Sequence, residues 1–233
     1  MLPAPALAPM QLPTLESFKD RHKGERCFLI GNGPSLARLD LTRLRGEVAF
    51  TVNRGYLAAG VGLPKTPYYL MADPLTYGPY HTEVRRAKVG LRFYRADVFD
   101  LPDYIDAPDR EPAIRVPFHR TPTMDEGYFA EDPTLGVFRG FTVLLDAAQL
   151  AFMMGCSEVY FIGCDLDYHQ PDTHVYGTGP IEQQRRDVMP IPKVLAAMAA
   201  AETVFRRHGR VLANAGIGGM LNTIPRVDYS SLF

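Results

Sequence analysis

The sequence has few cysteines, no long apolar run and almost no net charge. Its three cysteines, Cys27, Cys156 and Cys164, lack Cys-x-x-Cys spacing, so neither a disulfide framework nor a zinc cluster is predicted. No segment approaches the roughly 18 apolar residues of a transmembrane helix. The net charge of −1, from 25 basic and 26 acidic side chains, argues against nucleic acid as a partner. We expect a cytoplasmic protein, and a peripheral association with the inner membrane stays open.

The remaining composition is that of a folded protein. Hydrophobic residues make up 46% and charged residues 22% of the 233 residues. A chain of this length buries about 70% of the surface that it exposes when unfolded. Residues 1–14 carry four prolines and are predicted to be a flexible leader, without the continuous apolar segment of a signal peptide. Residues 15–233 are predicted to form a single domain.

Short apolar runs that end abruptly at turn residues alternate with stretches of helical spacing. This order favours a doubly wound α/β domain, a mostly parallel, Rossmann-like sheet with helices on both faces. An apolar face on residues 192–205 is a candidate contact for a homodimer. The predicted strands are residues 26–30, 48–52, 67–71, 91–94, 114–116, 158–162 and 210–213, and the predicted helices are residues 15–22, 142–154 and 192–208.

The first strand ends at Gly31-Asn32-Gly33-Pro34-Ser35. In a doubly wound sheet, ligands bind outside the carboxyl ends of the strands. Two glycines let the backbone turn sharply and approach a ligand, and exposed N–H groups in such a turn bind anions. The motif is neither a Walker loop nor the Gly-x-Gly-x-x-Gly fingerprint. A tight strand-to-helix turn without a ligand is the alternative interpretation.

Carboxylates follow two other predicted strands. Asp165 and Asp167 alternate, so on an extended chain their side chains would project to the same side, where they could hold Mg²⁺ or divide acid–base work. Asp73, which precedes Pro74, is a candidate base or metal ligand. For each of these residues a structural role, as a cap or a salt-bridge partner, is the alternative.

Three further polar residues are candidates. His174 lies in a polar loop and is a candidate general base, because histidine titrates near neutral pH. Arg139 could reach a phosphate, and Thr142 could cap the long helix, whose N-terminus attracts anions. The alternatives are an ordinary loop histidine and a helix cap without a ligand.

Together these segments form a linked pattern that resembles a known family. The segments are Cys27-Phe-Leu-Ile-Gly-Asn-Gly-Pro-Ser-Leu36, Asn53, Asp73-Pro74 and Ser157-Glu-Val-Tyr-Phe-Ile-Gly-Cys-Asp-Leu-Asp167. The pattern resembles the 6-hydroxymethylpterin diphosphokinase MptE-like family. It is also similar to the related bacterial sialyltransferases of glycosyltransferase family 42, which share the Gly-Asn-Gly-Pro-Ser-Leu turn. The resemblance covers about residues 24–73 and 139–215.

The resemblance implies a Rossmann-like domain that binds a nucleotide, which is CMP-sialic acid in the sialyltransferases. Asn32 and Asn53 match the two asparagines that contact the cytidylate in that family. Residues 139–142 match the segment that opens the long helix, and Gly163 and Asp165 match a segment near the nucleotide.

The sequence departs from the sialyltransferase pattern in two places. Those enzymes carry a base histidine shortly before the last long helix, whereas residues 182–189 contain no histidine. The asparagine after their third strand is Asp73 here, which is closer to the MptE-like pattern. In a sialyltransferase-like reaction, His174 or Asp73 would therefore have to act as the base.

These observations predict a nucleotide-dependent transferase, with a glycosyltransferase that uses a CMP-activated acidic sugar as the first hypothesis. The alternatives are a diphosphokinase that moves pyrophosphate from ATP to a hydroxymethylpterin-type alcohol, for which Mg²⁺ would be needed, and a non-catalytic nucleotide-binding module. All three hypotheses require that the first glycine turn and the acidic segment near position 165 line the same pocket. The predicted catalytic residues are Asp73, His174 and Asp165, and the predicted nucleotide-binding residues are Gly31, Asn32, Gly33, Ser35, Asn53, Arg139, Thr142, Gly163 and Asp167.

Overall fold

The part of the chain that the structure describes contains nine strands in two parallel sheets. The computed structural model describes residues 12–107, 110–168, 172–177 and 190–233, so the predicted leader lies almost entirely outside the described residues. The strands are β1 (Arg26–Ile30), β2 (Val48–Val52), β3 (Tyr68–Met71), β4 (Leu91–Arg95), β5 (Ile114–Val116), β6 (Phe118–Thr123), β7 (Val137–Arg139), β8 (Glu158–Ile162) and β9 (Val211–Asn214). The main sheet has the order β5-β4-β3-β2-β1-β8-β9, and β6 pairs with β7 separately.

In the described ranges, four α-helices and several short 3-10 segments connect the strands. The helices are α1 (Pro74–Arg86), α2 (Pro102–Ile105), α3 (Val143–Met153) and α4 (Ile191–Arg207). The 3-10 segments are Leu15–Phe18, Pro34–Arg38, Leu41–Leu44, Asn53–Val61, Ala96–Val98, Met124–Glu126 and Tyr229–Leu232. Gly155, with φ of +84°, follows the end of α3, as a glycine just past a helix does when it takes the left-handed conformation.

Both faces of the main sheet are covered, because alternate residues of a strand enter different apolar clusters. On β1, Cys27 and Leu29 pack into the cluster that contains the buried residues of α3 and α4. Phe28 and Ile30 pack into a second cluster, which is built from the segments around Leu36 and residues 41–44. Continuous burial along a strand is expected for a parallel sheet between two layers, and the predicted fold class is confirmed.

The apolar face of α4 is used inside the chain. Val194, Ala197, Met198, Ala201 and Phe205 are buried, and the helix packs against α3 and β9. The expectation of an exposed apolar face on residues 192–205 is therefore wrong, because the sheet and α3 cover that face. Among the described helices, none is both long enough and apolar enough to cross a bilayer.

Candidate active site

The strand order reverses beside β1. From β1 the chain moves outward through β2 to β5, and it then returns to place β8 and β9 on the other side of β1. The loops after β1 and β8 therefore separate at the carboxyl edge of the sheet, which is where doubly wound proteins bind ligands. A cleft of about 400 Å³ opens at this point.

The cleft brings together nearly all of the predicted site residues. The glycine turn and the acidic segment near position 165 both line it, together with the start of α3 and the segment of residues 172–177. Ser35 is the exception among the predicted residues. The predicted residues in its lining are Gly31, Asn32, Gly33, Asn53, Asp73, Arg139, Thr142, Gly163, Asp165, Asp167 and His174.

The two glycines of the turn are needed for packing between loops. A Cβ atom on Gly31 would lie 2.3 Å from the carbonyl oxygen of Gly163, and one on Gly33 would lie 2.4 Å from Cγ of Asp165. The N–H of Gly33 donates to the carbonyl oxygen of Gly163 at 2.8 Å. The sequence interpretation assigned these glycines to close approach of a ligand, whereas in the structure the closely approaching group is the loop after β8.

Asp165 holds the turn through its side chain. One carboxylate oxygen accepts the N–H of Ser35 at 2.9 Å, and the other accepts the Ser35 hydroxyl. Ser35 is 6% exposed, so its hydroxyl serves the loop packing. Leu166 has φ of +53°, so the expected extended chain between Asp165 and Asp167 is wrong, and the argument that placed both side chains on one side does not hold.

Asp73 caps helix α1. The sequence analysis gave a cap as an alternative role for Asp73, but it did not predict this helix. Its carboxylate accepts the N–H of Leu75 at 3.0 Å and the hydroxyl of Thr76 at 2.5 Å. Both oxygens of Asp73 and of Asp165 thus already accept hydrogen bonds from the protein. No group of three His, Cys, Asp or Glu residues is placed to hold a metal ion within the described part of the chain. Asp73 and Asp165 are therefore engaged within the protein, and Mg²⁺ binding stays a prediction.

The two asparagines lie on one side of the cleft. The side-chain amide of Asn32 donates to the carbonyl oxygen of Val52 at 3.3 Å, and its Oδ1 is buried without a hydrogen-bond partner among the described residues. Asn53 adopts φ of +48°, the left-handed conformation that asparagine takes more readily than most residues other than glycine. Phe141 and Leu166, with φ of +61° and +53°, also line the cleft. Strained residues of this kind concentrate at functional sites.

Arg139 and the start of α3 form the cationic side of the cleft. Nε of Arg139 is buried and has no hydrogen-bond partner among the residues described. Thr142 occupies the N-cap position of α3 without a side-chain capping bond, so its hydroxyl leaves the N–H groups of the first turn uncapped. Thr142, Val143 and Leu144 line the cleft. Buried Gln149 fixes this region, because its side-chain oxygen accepts the N–H of Phe138 at 2.9 Å and its amide donates to the Phe138 carbonyl oxygen.

Asp146 is a buried carboxylate in the cleft that the sequence analysis missed. It pairs with Arg95 at 3.3 Å, and Arg95 also pairs with Asp97 at 2.8 Å. Burial raises the pKa of Asp146 to about 6, against the opposing effect of Arg95. The available signal was that two polar residues, Asp146 and Gln149, lie within the mostly apolar α3, where the helical spacing was interpreted as core alone.

His174 is half-buried at the cleft. Its Nδ1 lies 3.0 Å from the hydroxyl of Thr173. Burial, with a smaller effect of the positive charge on Arg54, lowers its pKa to about 4. The imidazole is therefore neutral at physiological pH and able to accept a proton, but it is a weaker base than an exposed histidine.

Comparison with known proteins supports the fold. No protein-family model and no curated protein matches this chain. Among solved structures, the chain is similar to the MAf glycosyltransferase from Magnetospirillum magneticum AMB-1, with 15% identity and a TM-score of 0.56. The match covers 94% of this chain and 38% of that one, so this chain spans less than half of its neighbour's length. At this identity the likeness shows a common fold, and the resemblance to the MptE-like family and to family 42 stays a prediction.

Proposed function

We propose that this chain is a glycosyltransferase whose donor is a CMP-activated acidic sugar. The observation that carries the proposal is the cleft at the reversal of strand order, whose lining includes two asparagines together with Arg139 and the start of α3. The structural neighbour is named a glycosyltransferase, which agrees with this activity. What that longer protein transfers, and to which acceptor, is not carried over to this chain.

Two groups of residues in the lining suit different parts of a nucleotide. Asn32 and Asn53 carry amides that both donate and accept hydrogen bonds, as a cytosine or a ribose requires. The buried, unpartnered Oδ1 of Asn32 costs free energy unless a donor reaches it. Arg139 and the N–H groups at the start of α3 suit the single phosphate of CMP, since both favour an anion.

The proposed transfer breaks the bond between the anomeric carbon and the phosphate oxygen of the donor. The oxygen of an acceptor hydroxyl forms the new bond, CMP leaves, and the hydroxyl proton passes to a base. His174 is the candidate for this proton, because it lines the cleft and its pKa of about 4 keeps it neutral. Arg139 and the first turn of α3 stabilise the charge that develops on the leaving phosphate.

Isothermal titration with CMP, CDP and ATP, each with and without Mg²⁺, tests the donor. We expect CMP and CDP to bind without Mg²⁺, and Asn32→Ala to weaken CMP binding about tenfold, which corresponds to about 1.4 kcal/mol. The matched control is Asn222→Ala, since Asn222 is exposed and absent from the cleft lining. Preference for ATP with Mg²⁺ would instead support the diphosphokinase hypothesis, and absence of cytidine nucleotide binding would reject the proposal.

Release of CMP from a CMP-activated acidic sugar tests catalysis. We expect His174→Gln to retain CMP affinity within about twofold and to lose turnover by about 100-fold, the lower range for a general base. Nucleotide binding without turnover of any CMP-sugar would leave only the non-catalytic module.

A further inference from the structure

A chain of stacking contacts ends at the cleft, where Tyr176 and His174 belong to the lining. The guanidinium carbon of Arg54, in the 3-10 segment after β2, lies 3.7 Å from the ring centre of Tyr80 on α1. It also lies 5.1 Å from the ring centre of Tyr176. The Tyr176 ring is stacked with His174 at 5.1 Å between centres and 12° between planes. These contacts connect α1, the loop after β2 and residues 172–177.

Arg54 combines stacking with an ion pair. Its side chain is 16% exposed, and its guanidinium donates to half-exposed Glu83 at 3.4 Å. Its Nε is buried and has no hydrogen-bond partner among the described residues. A planar guanidinium stacks on aromatic rings, whereas the compact ammonium of lysine does not replace it in that geometry.

Residues 172–177 contact the rest of the described chain at several points. The N–H of Val175 donates to the carbonyl oxygen of Asn32 at 2.7 Å, and the Val175 side chain packs against the second apolar cluster. Tyr176 contacts Arg54. Thr173, His174 and Tyr176 line the cleft, so the contact with Arg54 is one of those that hold this segment at the cleft.

We propose that Arg54 is a positioning residue: stacked with Tyr80 and Tyr176, it fixes residues 172–177 over the cleft and His174 with them. The part that concerns His174 in catalysis rests on the proposed function. The positive charge of Arg54 also disfavours a proton on His174. Tyr168, whose ring centre is 6.5 Å from that of His174, and the carboxylates of Asp73 and Asp167 border the same space.

A single tryptophan makes this proposal testable without an activity. The chain has no tryptophan, so Tyr176→Trp places a unique fluorophore in the stack. In that background, Arg54→Lys keeps the charge and removes the planar group, and Arg54→Met removes both. Arg43→Met is the control, because Arg43 lies over the Phe233 ring at 5.7 Å and is absent from the cleft lining.

We expect both Arg54 variants to increase acrylamide quenching of the introduced tryptophan at least about twofold, with Arg43→Met unchanged. If the segment then covers the cleft one tenth of the time, the apparent Kd for CMP rises about tenfold. NMR titration of the His174 imidazole, identified by its loss in His174→Gln, should show a pKa that rises towards 6.5 in both variants. The rise should be larger in Arg54→Met, because both variants lose the burial of His174 and only Arg54→Met also loses the positive charge. A merely structural arginine would not separate the two variants in this way.

Quenching and a His174 titration that are unchanged in both Arg54 variants would overturn the proposal. Thermal melting checks that each variant folds, and Arg54→Lys alone carries the quenching test if Arg54→Met does not fold. Failure of cytidine nucleotides to bind the parent protein would reject the proposed function, while quenching and titration would still decide the role of Arg54.

Discussion

The two sides of the cleft are held in place by different forces. The elbow rim (residues 31–35 and 163–165) is fixed by backbone hydrogen bonds and by glycines that leave no space for a Cβ atom. The stack rim (Arg54, Tyr80 and residues 172–177) is fixed mainly by stacked side chains. Backbone packing admits few alternatives, whereas stacked side chains can repack around different ligands. The elbow rim is therefore the more rigid part of the cleft, and the stack rim is the part that can repack.

Substitution of Gly31 should produce the largest loss of stability. A Cβ atom there would lie 2.3 Å from a backbone oxygen, which cannot rotate away, so Gly31→Ala should lower the free energy of unfolding by about 3 to 5 kcal/mol. Gly60→Ala is the control, since a Cβ at Gly60 meets nothing within 4 Å. Urea denaturation measures both. Equal stability of the two variants would show that the elbow rim is as adaptable as the stack rim.

The pH dependence of stability probes His174 on the stack rim. Its pKa is lowered from 6.5 to about 4, so the unfolded chain binds this proton at pH values where the folded chain does not. The resulting stability is present above pH 6.5 and is lost as pH falls towards 4, by about 3 kcal/mol. The stability of His174→Gln should therefore increase relative to that of the unmodified protein as pH falls from 6.5 towards 4. Urea denaturation at each pH measures this difference.

Asp146 has the opposite effect on the pH dependence of stability, over an overlapping pH range. Its pKa is raised from 3.8 to about 6, so its contribution to stability is present below pH 3.8 and is lost as pH rises through 6. As pH rises from 3.8 to 6, the unmodified protein should lose stability relative to Asp146→Asn. If the free energy of unfolding of His174→Gln and of Asp146→Asn followed the same pH dependence as that of the unmodified protein, both pKa assignments would be contradicted.

The bond between Ser35 and Asp165 should matter less than the glycines beside it. Hydrogen bonds to a charged group contribute about 1.5 to 3 kcal/mol, so Ser35→Ala and Asp165→Asn should each lower the free energy of unfolding by about 2 kcal/mol. The double variant should lose less than the sum, because both changes remove one interaction. Ser17→Ala, at an exposed turn, is the control. Additive losses would show that the two residues act independently.

Arg139 should affect ligand binding with the smallest change in free energy. Arg139→Met is expected to weaken CMP binding about tenfold, or about 1.4 kcal/mol, and to reduce its dependence on salt. Titration at two salt concentrations measures both effects, with exposed Arg120→Met as the matched control. A loss that is equal for cytidine and CMP would mean that Arg139 does not contact the phosphate.

The main sheet could be predicted wherever a strand is a continuous apolar run between turn residues. The bounds predicted for residues 26–30, 48–52, 114–116 and 158–162 agree with β1, β2, β5 and β8. Helix α1 was missed because Asp73-Pro74 was interpreted as a turn, although an aspartate cap followed by proline also begins a helix. Gly78 and Pro79 then obscured its helical pattern.

The location of the cleft could also be predicted, because the carboxyl ends of parallel strands share one edge of the sheet. The partners of its polar groups could not. Asp165 meets Ser35 across 130 positions of sequence, and local pattern carries no information about such a pairing. The same holds for Asp146 and Arg95, whose approach depends on how α3 crosses the sheet.

The position of Asp165 has a consequence for engineering. Its side chain accepts hydrogen bonds from Ser35, and its carbonyl oxygen accepts the N–H of Met220 at 2.7 Å. A Cβ on Gly33 would meet its carboxyl carbon, and one on Gly219 would lie 2.6 Å from its carbonyl oxygen. Loops from other proteins of this fold can therefore be grafted here only when positions 33, 35, 165 and 219 are exchanged as one block.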